Sequence, residues 1–216
     1  MPSELSATQR RQLLAGPSKV YIQVGEAVLP QHLPKEMLLY LSRKAQDLLK
    51  PPRPGSSRTP TTILKFSSDE IDIIALNAVI KWMFAWCNAD RTVPMLTYKN
   101  TVNETFAETV RLYQAVRALD VPTYFTGTDL PKRIKEWIAM APLTKDEFVM
   151  IIGRLQGDES VVRKALHNTA YHKARATLPE ASAIVDFVRE AGNEELRERM
   201  EQLENFVLSK RDGTAM

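Results

Sequence analysis

The sequence predicts an α+β fold with a small sheet and a long helical remainder, and three observations carry that reading. Val20, Ile22 and Val24 alternate with Tyr21 and Gln23 near the start, a strand-like TILKF run occupies residues 62–66, and almost everything after it has helical spacing. A three-stranded sheet packed with helices is therefore expected early in the chain, followed by an all-helical extension.

Each element can be justified in order. Residues 3–15 favour helix, with Leu5, Leu13 and Leu14 as a sparse apolar face and Gly16–Pro17 as the stop. The alternating run from Val20 to Val24 then meets Gly25 and Glu26, which supply a turn before Ala27, Val28 and Leu29, so a β-hairpin is expected. Pro34 suits a first helical turn, and Met37, Leu38, Leu41, Ala45, Leu48 and Leu49 recur at helical spacing in one helix or two short ones. The PPRPGSSRTP stretch at 51–60 reads as an exposed connection before the strand at 62–66.

Ser67 and Glu70 have the spacing of a capping box and predict the start of the next helix there. In that helix Ile71, Ile74, Ala75, Ala78, Val79, Trp82, Met83 and Trp86 fill one stripe, while Ile73, Leu76, Ile80 and Phe84 fill much of the rest. It is expected to be central and buried. A second helix over about 103–119 carries Phe106, Val110, Tyr113, Val116 and Leu119, and Pro122 stops it.

Asp129 and Thr144 have the character of N-caps, the latter with Glu147 three residues on. They open helices bearing Ile134, Trp137 and Ile138, then Phe148, Ile151, Ile152 and Leu155. Val161, Val162, Ala165 and Leu166 define another helix, and after Pro179 a long segment bears Ile184, Phe187, Val188, Leu196, Met200, Leu203 and Val207, with Gly192 a candidate break. The expected division is an arm helix at 1–16, an α+β domain at 17–138 and a helical extension at 139–216.

Composition narrows the function classes. With 216 residues, 44% hydrophobic and 25% charged, the chain has the make-up of a globular protein. No apolar run approaches the roughly 20 residues a spanning helix needs, no leader pattern opens the chain, and the one cysteine, Cys87, cannot form an internal disulfide. A cytoplasmic or nuclear location without a membrane partner is expected. The net charge of +3 is spread among interleaved acids and bases, except at 43–58, where Arg43, Lys44, Lys50, Arg53 and Arg58 face only Asp47.

The residues that could carry chemistry favour plain structural roles. His32, His167 and His172 lack metal-ligand spacing and acidic neighbours. Cys87 ends an apolar helix with no His or Lys near it in sequence to activate it. Glycine motifs for phosphate or dinucleotide are lacking, and Glu194, Glu195, Glu198, Glu201 and Glu204 alternate with Arg197 and Arg199 as on a solvated helix face. Trp82, Trp86, Trp137, Phe84 and Tyr113 sit in helical apolar patterns, as core residues do, which disfavours a base-stacking surface. No catalytic residue, no metal site and no cofactor is expected.

Several pieces, in order, resemble the BTB/POZ family, especially its divergent fungal members. SKVYIQVG at 18–25 is similar to the family's first strand. LPKEMLLYLSRKAQDL at 33–48 is similar to the run from its second strand into a helical hairpin, with Ser42 on its characteristic serine. IKWMF at 80–84 and VRLYQAVRALDV at 110–121 are similar to its Trp-bearing helix and the helix after it. The resemblance spans about 17–138. Lys19, Pro34 and Ala45 depart from the family's usual aspartate, histidine and aromatic, and the loop at 51–60 lacks the glutamate of cullin-binding members.

The resemblance implies a non-enzymatic interaction module that pairs with itself or with another BTB protein. An arm helix and first strand would then pack on the partner through Leu5, Leu13, Leu14, Val20 and Ile22. Two alternatives stand beside it: a substrate adaptor for a cullin ubiquitin ligase, and a nuclear regulator that meets nucleic acid or chromatin partners through the basic loop.

Overall fold

The computed structural model describes residues 5–49, 62–98, 104–190 and 192–212. The chain divides into two compact units, residues 1–129 and 130–216, so the division falls upstream of the expected boundary at 138.

The first unit opens with α1 (Ala7–Ala15). Ser6 caps it: its Oγ accepts from the Gln9 N–H at 3.3 Å while the Gln9 side chain accepts from the Ser6 N–H at 2.9 Å. That reciprocal box satisfies two donors that a helix start leaves orphaned. It also sets the start at Ala7 rather than at residue 3.

Strand β1 (Lys19–Val24) is the hub of a mixed sheet. It turns at Gly25 and Glu26 into β2 (Ala27–Val28), with Val24 opposite Ala27, and Gly25 takes φ +57°, a left-handed conformation that costs glycine little. It also pairs antiparallel with β3 (Leu33–Pro34) and parallel with β4 (Ile63–Phe66), Tyr21 lying beside Ile63. The sheet thus has four strands rather than three. Pro34 ends β3 and is at the same time the N-cap of α2, one residue before the helical turn expected of it. It has no N–H to offer, and the ladder continues through Lys35, whose N–H donates to the Ser18 carbonyl at 3.0 Å. Val20, Ile22, Val24, Leu64 and Phe66 point inward and are buried, while Lys19, Tyr21, Ile63 and Lys65 point out.

The parallel β1–β4 pair needs a crossover, and two short helices, α2 (Lys35–Leu41) and α3 (Arg43–Leu49), lie along it. They are separate because Ser42 leaves helical geometry, at φ −131° and ψ 119°. After β4, helix α4 (Ile73–Asn88) begins later than the Ser67 and Glu70 pattern predicts. Glu70 does accept from the Ser67 N–H at 3.4 Å, but it is drawn into an ion pair with Lys44 at 2.7 Å. The cap that opens the helix is Asp72, whose carboxylate takes the N–H groups of Ile74 and Ala75 at 3.1 and 2.9 Å.

Helix α4 is central but not buried all round. Ala75, Leu76, Val79, Ile80, Trp82, Met83, Trp86 and Cys87 are buried, whereas Ile73 and Ile74 face outward. It packs against α1 and against α5 (Phe106–Ala118). Thr105 and Glu108 form the capping box of α5, and Asp120, at φ +49°, turns the chain before Pro122 is reached. A single turn, α6 (Thr123–Thr126), closes this unit.

The second unit is helical throughout its described residues: α7 (Leu130–Met140), α8 (Lys145–Leu155), α9 (Glu159–Ala174), α10 (Ala181–Arg189) and α11 (Glu194–Asp212). Helix α9 is its axis, packing on α7, α8 and α11. Thr144 and Glu147 make the expected capping box of α8, and Gly192, at φ +92°, separates α10 from α11. Trp137, expected in the core, is instead 42% exposed, because Leu130, Ile134 and Ile138 are the residues of α7 that face inward. No helix among the described residues is long and apolar enough to cross a membrane.

Candidate functional site

The best-defined polar constellation of the first unit lies where α1 meets the C-terminal end of α4. Arg10 shares a helical face with Leu13 and Leu14, three and four residues on, yet Arg10 is 9% exposed and the leucines are only half-buried. Its guanidinium donates through Nη2 to the Ala89 carbonyl at 2.6 Å and through Nη1 to the Leu5 carbonyl at 3.0 Å. Ala89 is the C-cap of α4, where carbonyls lack helical partners and the helix dipole is negative. The next arginine, Arg11, pairs with Asp90.

An aromatic wall completes the seat. The Arg10 Cζ stands 5.4 Å from the centre of the Trp86 ring, within the range of a cation–π contact. Trp86, Tyr40 and Phe125 form a triangle with ring centres 5.5–5.6 Å apart, and Tyr124 lies against Phe125 on the outside. Burial and the neighbouring Tyr124 push the Tyr40 hydroxyl above its ordinary pKa, and Arg10 pulls it back.

Two buried polar atoms around this arm go without a hydrogen bond among the described residues, the Nε of Arg10 and the Oε2 of Glu36. A Cβ added to Gly16 would overlap that same Glu36 carboxylate, so the chain passes over it only as glycine or after the Glu36 side chain moves. Buried polar atoms without partners each cost about 1–3 kcal/mol.

The residues expected at a dimer interface separate into two groups. Leu13 and Leu14 lie half-buried on α1 and Leu5 half-buried just ahead of it, and α1 packs within its own chain on α2, β3 and α4. Val20 and Ile22 have no exposed surface; they form part of the chain's own core and cannot offer side chains to a partner. The alternation of β1 correctly marks one face as buried, but the covering surface is internal.

Other sequence candidates take structural positions. Cys87 is fully buried, and desolvation holds its thiol pKa up at about 12 despite the opposing charge of Arg10, so it stays protonated and unreactive near neutral pH. His32 packs on the Tyr21 ring at 4.4 Å, and His172 shares a 2.8 Å hydrogen bond with Thr177. No group of three or more potential metal ligands occurs among the described residues. The basic, proline-rich stretch at 51–60 lies outside the described residues.

Two residues that hold the fold carry no distinct signal in the sequence. Arg10 reads in the sequence only as a charge sharing a face with leucines, since Trp86 and Ala89 reach it only in the fold. Asn168, in the second unit, is buried; it donates to the carbonyls of Ile138 and Ala141 at 2.6 and 3.0 Å and accepts from the Leu143 N–H at 3.2 Å. It holds the α7–α8 connection.

A separate groove of 670 Å³ follows the outer face of α4. Ile74, Asn77, Ala78, Lys81 and Ala85 form one side and Pro94 and Met95 the other, and Trp82 donates its indole N–H to the Pro94 carbonyl at 2.8 Å. The lining mixes apolar side chains with the Asn77 amide, the Lys81 ammonium and the Thr97 hydroxyl, a composition that suits side-chain docking better than proton transfer. The chain matches no protein-family model and no curated protein.

Proposed function

We propose that this protein is a non-enzymatic protein–protein interaction module of BTB/POZ-like build that works as a homodimer. The observation that carries the reading is the order of its first unit: a hairpin, a helical pair broken at Ser42, a parallel strand, and a Trp-bearing helix followed by another. That order follows the segments on which the sequence resemblance rests. Apolar surface left partly open supports pairing. It includes Leu5, Leu13 and Leu14 on the arm, and Tyr21 beside Ile63 on the outer face of the sheet. A stable pair needs more than about 1,000 Å² of buried surface in total, so these patches would have to act together.

The test is the solution mass by light scattering over a dilution series, for the whole chain and for a form lacking residues 1–16. The expected result is twice the chain mass at micromolar concentration, with weaker pairing when the arm is removed or when Leu13→Asp and Leu14→Asp are combined. A mass of one chain at every concentration would overturn homodimerisation.

A further inference from the structure

We propose that the exposed stripe of α9 binds the phosphate backbone of duplex DNA. The inference concerns the second unit alone and goes beyond the homodimer reading, on which it does not depend.

Helix α9 packs on α7, α8 and α11 and leaves one face to solvent. Along that face Arg163, Lys164 and His167 are exposed, Tyr171 is half-buried, and Arg175, the C-cap of the helix, is exposed. Their spacing of three and four residues sets them in one row, about 18 Å long from Arg163 to Arg175. No carboxylate of α9 shares the row. Glu159 lies on the flank towards α11, where it accepts from Arg199 at 2.5 Å, and Lys173 on the same flank is held by Glu204 at 2.7 Å. A line of cations with no acid in it raises a positive potential along its length, which a polyanion lying along it offsets.

Arg175 is prepared for an oxyanion. Its Cζ stands 4.4 Å from the centre of the Tyr171 ring. Stacked in this way, a guanidinium keeps its edge donors free and loses little freedom on meeting the paired oxygens of a phosphate.

The composition of the row selects among polyanions. A lipid surface or a protein partner would need apolar anchors beside the charges. The apolar residues Val161, Val162, Ala165, Leu166 and Ala170 of α9 are all buried within the unit. Single strands are gripped through free aromatic faces on which bases stack, but Arg175 already lies over the Tyr171 ring. A straight, rigid row of cations fits the regular phosphate ridge of a duplex, whose contacts need neither feature.

The experiment measures the fluorescence anisotropy of a labelled, random-sequence DNA duplex of about 20 base pairs with the full chain. Saturable binding is expected at about 50 mM salt, and release of counterions by three cations should make it about 40-fold weaker at about 200 mM. Combining Arg163→Gln, Lys164→Gln and Arg175→Gln should weaken binding at least about ten-fold at the lower salt and flatten the salt dependence. A control that removes the same charge from other exposed positions, Lys81→Gln with Arg91→Gln and Arg189→Gln, should stay within about three-fold of the unmodified chain.

Absence of binding at about 50 mM salt, or an equal loss in the two variants, would overturn the proposal. Tighter binding to phosphatidylserine vesicles than to the duplex would assign the row to a lipid surface, and equal binding to polyglutamate would assign it to bare charge; either result also overturns it. Should the stripe variant not fold, acetylation of the unmodified chain decides. The duplex should protect Lys164 at least about five-fold while Lys81 stays reactive, and unchanged reactivity of Lys164 would overturn the assignment.

Discussion

The Oγ of Ser42 donates a hydrogen bond of 2.5 Å to the carbonyl of Leu119, and the same oxygen accepts from the Ala45 N–H at 3.0 Å. One buried hydroxyl thus caps the start of α3 and takes up a carbonyl at the end of α5, and the Arg43 N–H reinforces the junction by donating to Asp120 at 3.1 Å. Removing the hydroxyl leaves a buried carbonyl and a helix-start donor without partners. Ser42→Ala is expected to destabilise the first unit by about 1–3 kcal/mol, read in urea as a lower midpoint at unchanged slope. A loss below a few tenths of a kcal/mol would show that the junction does not depend on this bond.

Asn168 has the corresponding position in the second unit. Its amide satisfies two carbonyls and one N–H of the α7–α8 connection. Asn168→Leu fills similar volume but strands all three groups, and the expected cost is about 3 kcal/mol or more. Asn168→Asp keeps the acceptor and loses both donors, so it should also destabilise. Thermal unfolding of the two variants beside the unmodified chain checks this, and an unchanged midpoint in both would contradict it.

What was legible in the sequence follows the range of the interaction involved. The box of Thr144 and Glu147, the Gly25 turn and the Gly192 break are settled within a few residues, and each occurs where the pattern places it. The box of Ser67 and Glu70 fails because Glu70 finds Lys44 in space and Asp72 offers a better cap. Alternation showed that Val20 and Ile22 face inward, but not that their cover is the chain's own core. Arg10 and Asn168 escaped for the same reason, as the Ala89 carbonyl for the one and the Ile138 carbonyl for the other are brought close only by the fold.

Two glycines should respond in opposite directions to alanine. Gly25 holds φ +57° with its nearest obstacle, the Ser68 Cβ, 3.8 Å from an added Cβ, so Gly25→Ala meets no clash but a conformational cost of about 1 kcal/mol. Gly153 lies inside α8 with nothing within 4 Å of an added Cβ, and Gly153→Ala is expected to stabilise the second unit by about 0.5–1 kcal/mol. Denaturation midpoints moving the same way in both would overturn the assignment.

The buried thiol of Cys87 makes a prediction about pH. Its pKa is raised from 9.0 to about 12 by desolvation, so the folded state holds its proton where the unfolded chain releases it. The folded value lies above the unfolded one, so the associated stability is fully present below pH 9 and is lost as the pH rises towards 12. Between pH 8.5 and 10.5 this group alone should remove about 2 kcal/mol of stability. Cys87→Ala carries a constant packing cost but lacks the titration, so its stability should fall by about 2 kcal/mol less than that of the unmodified chain over the same interval. Parallel stability curves for the two proteins, or rapid modification of the folded chain by a thiol reagent at pH 8, would show that Cys87 is not held in this way.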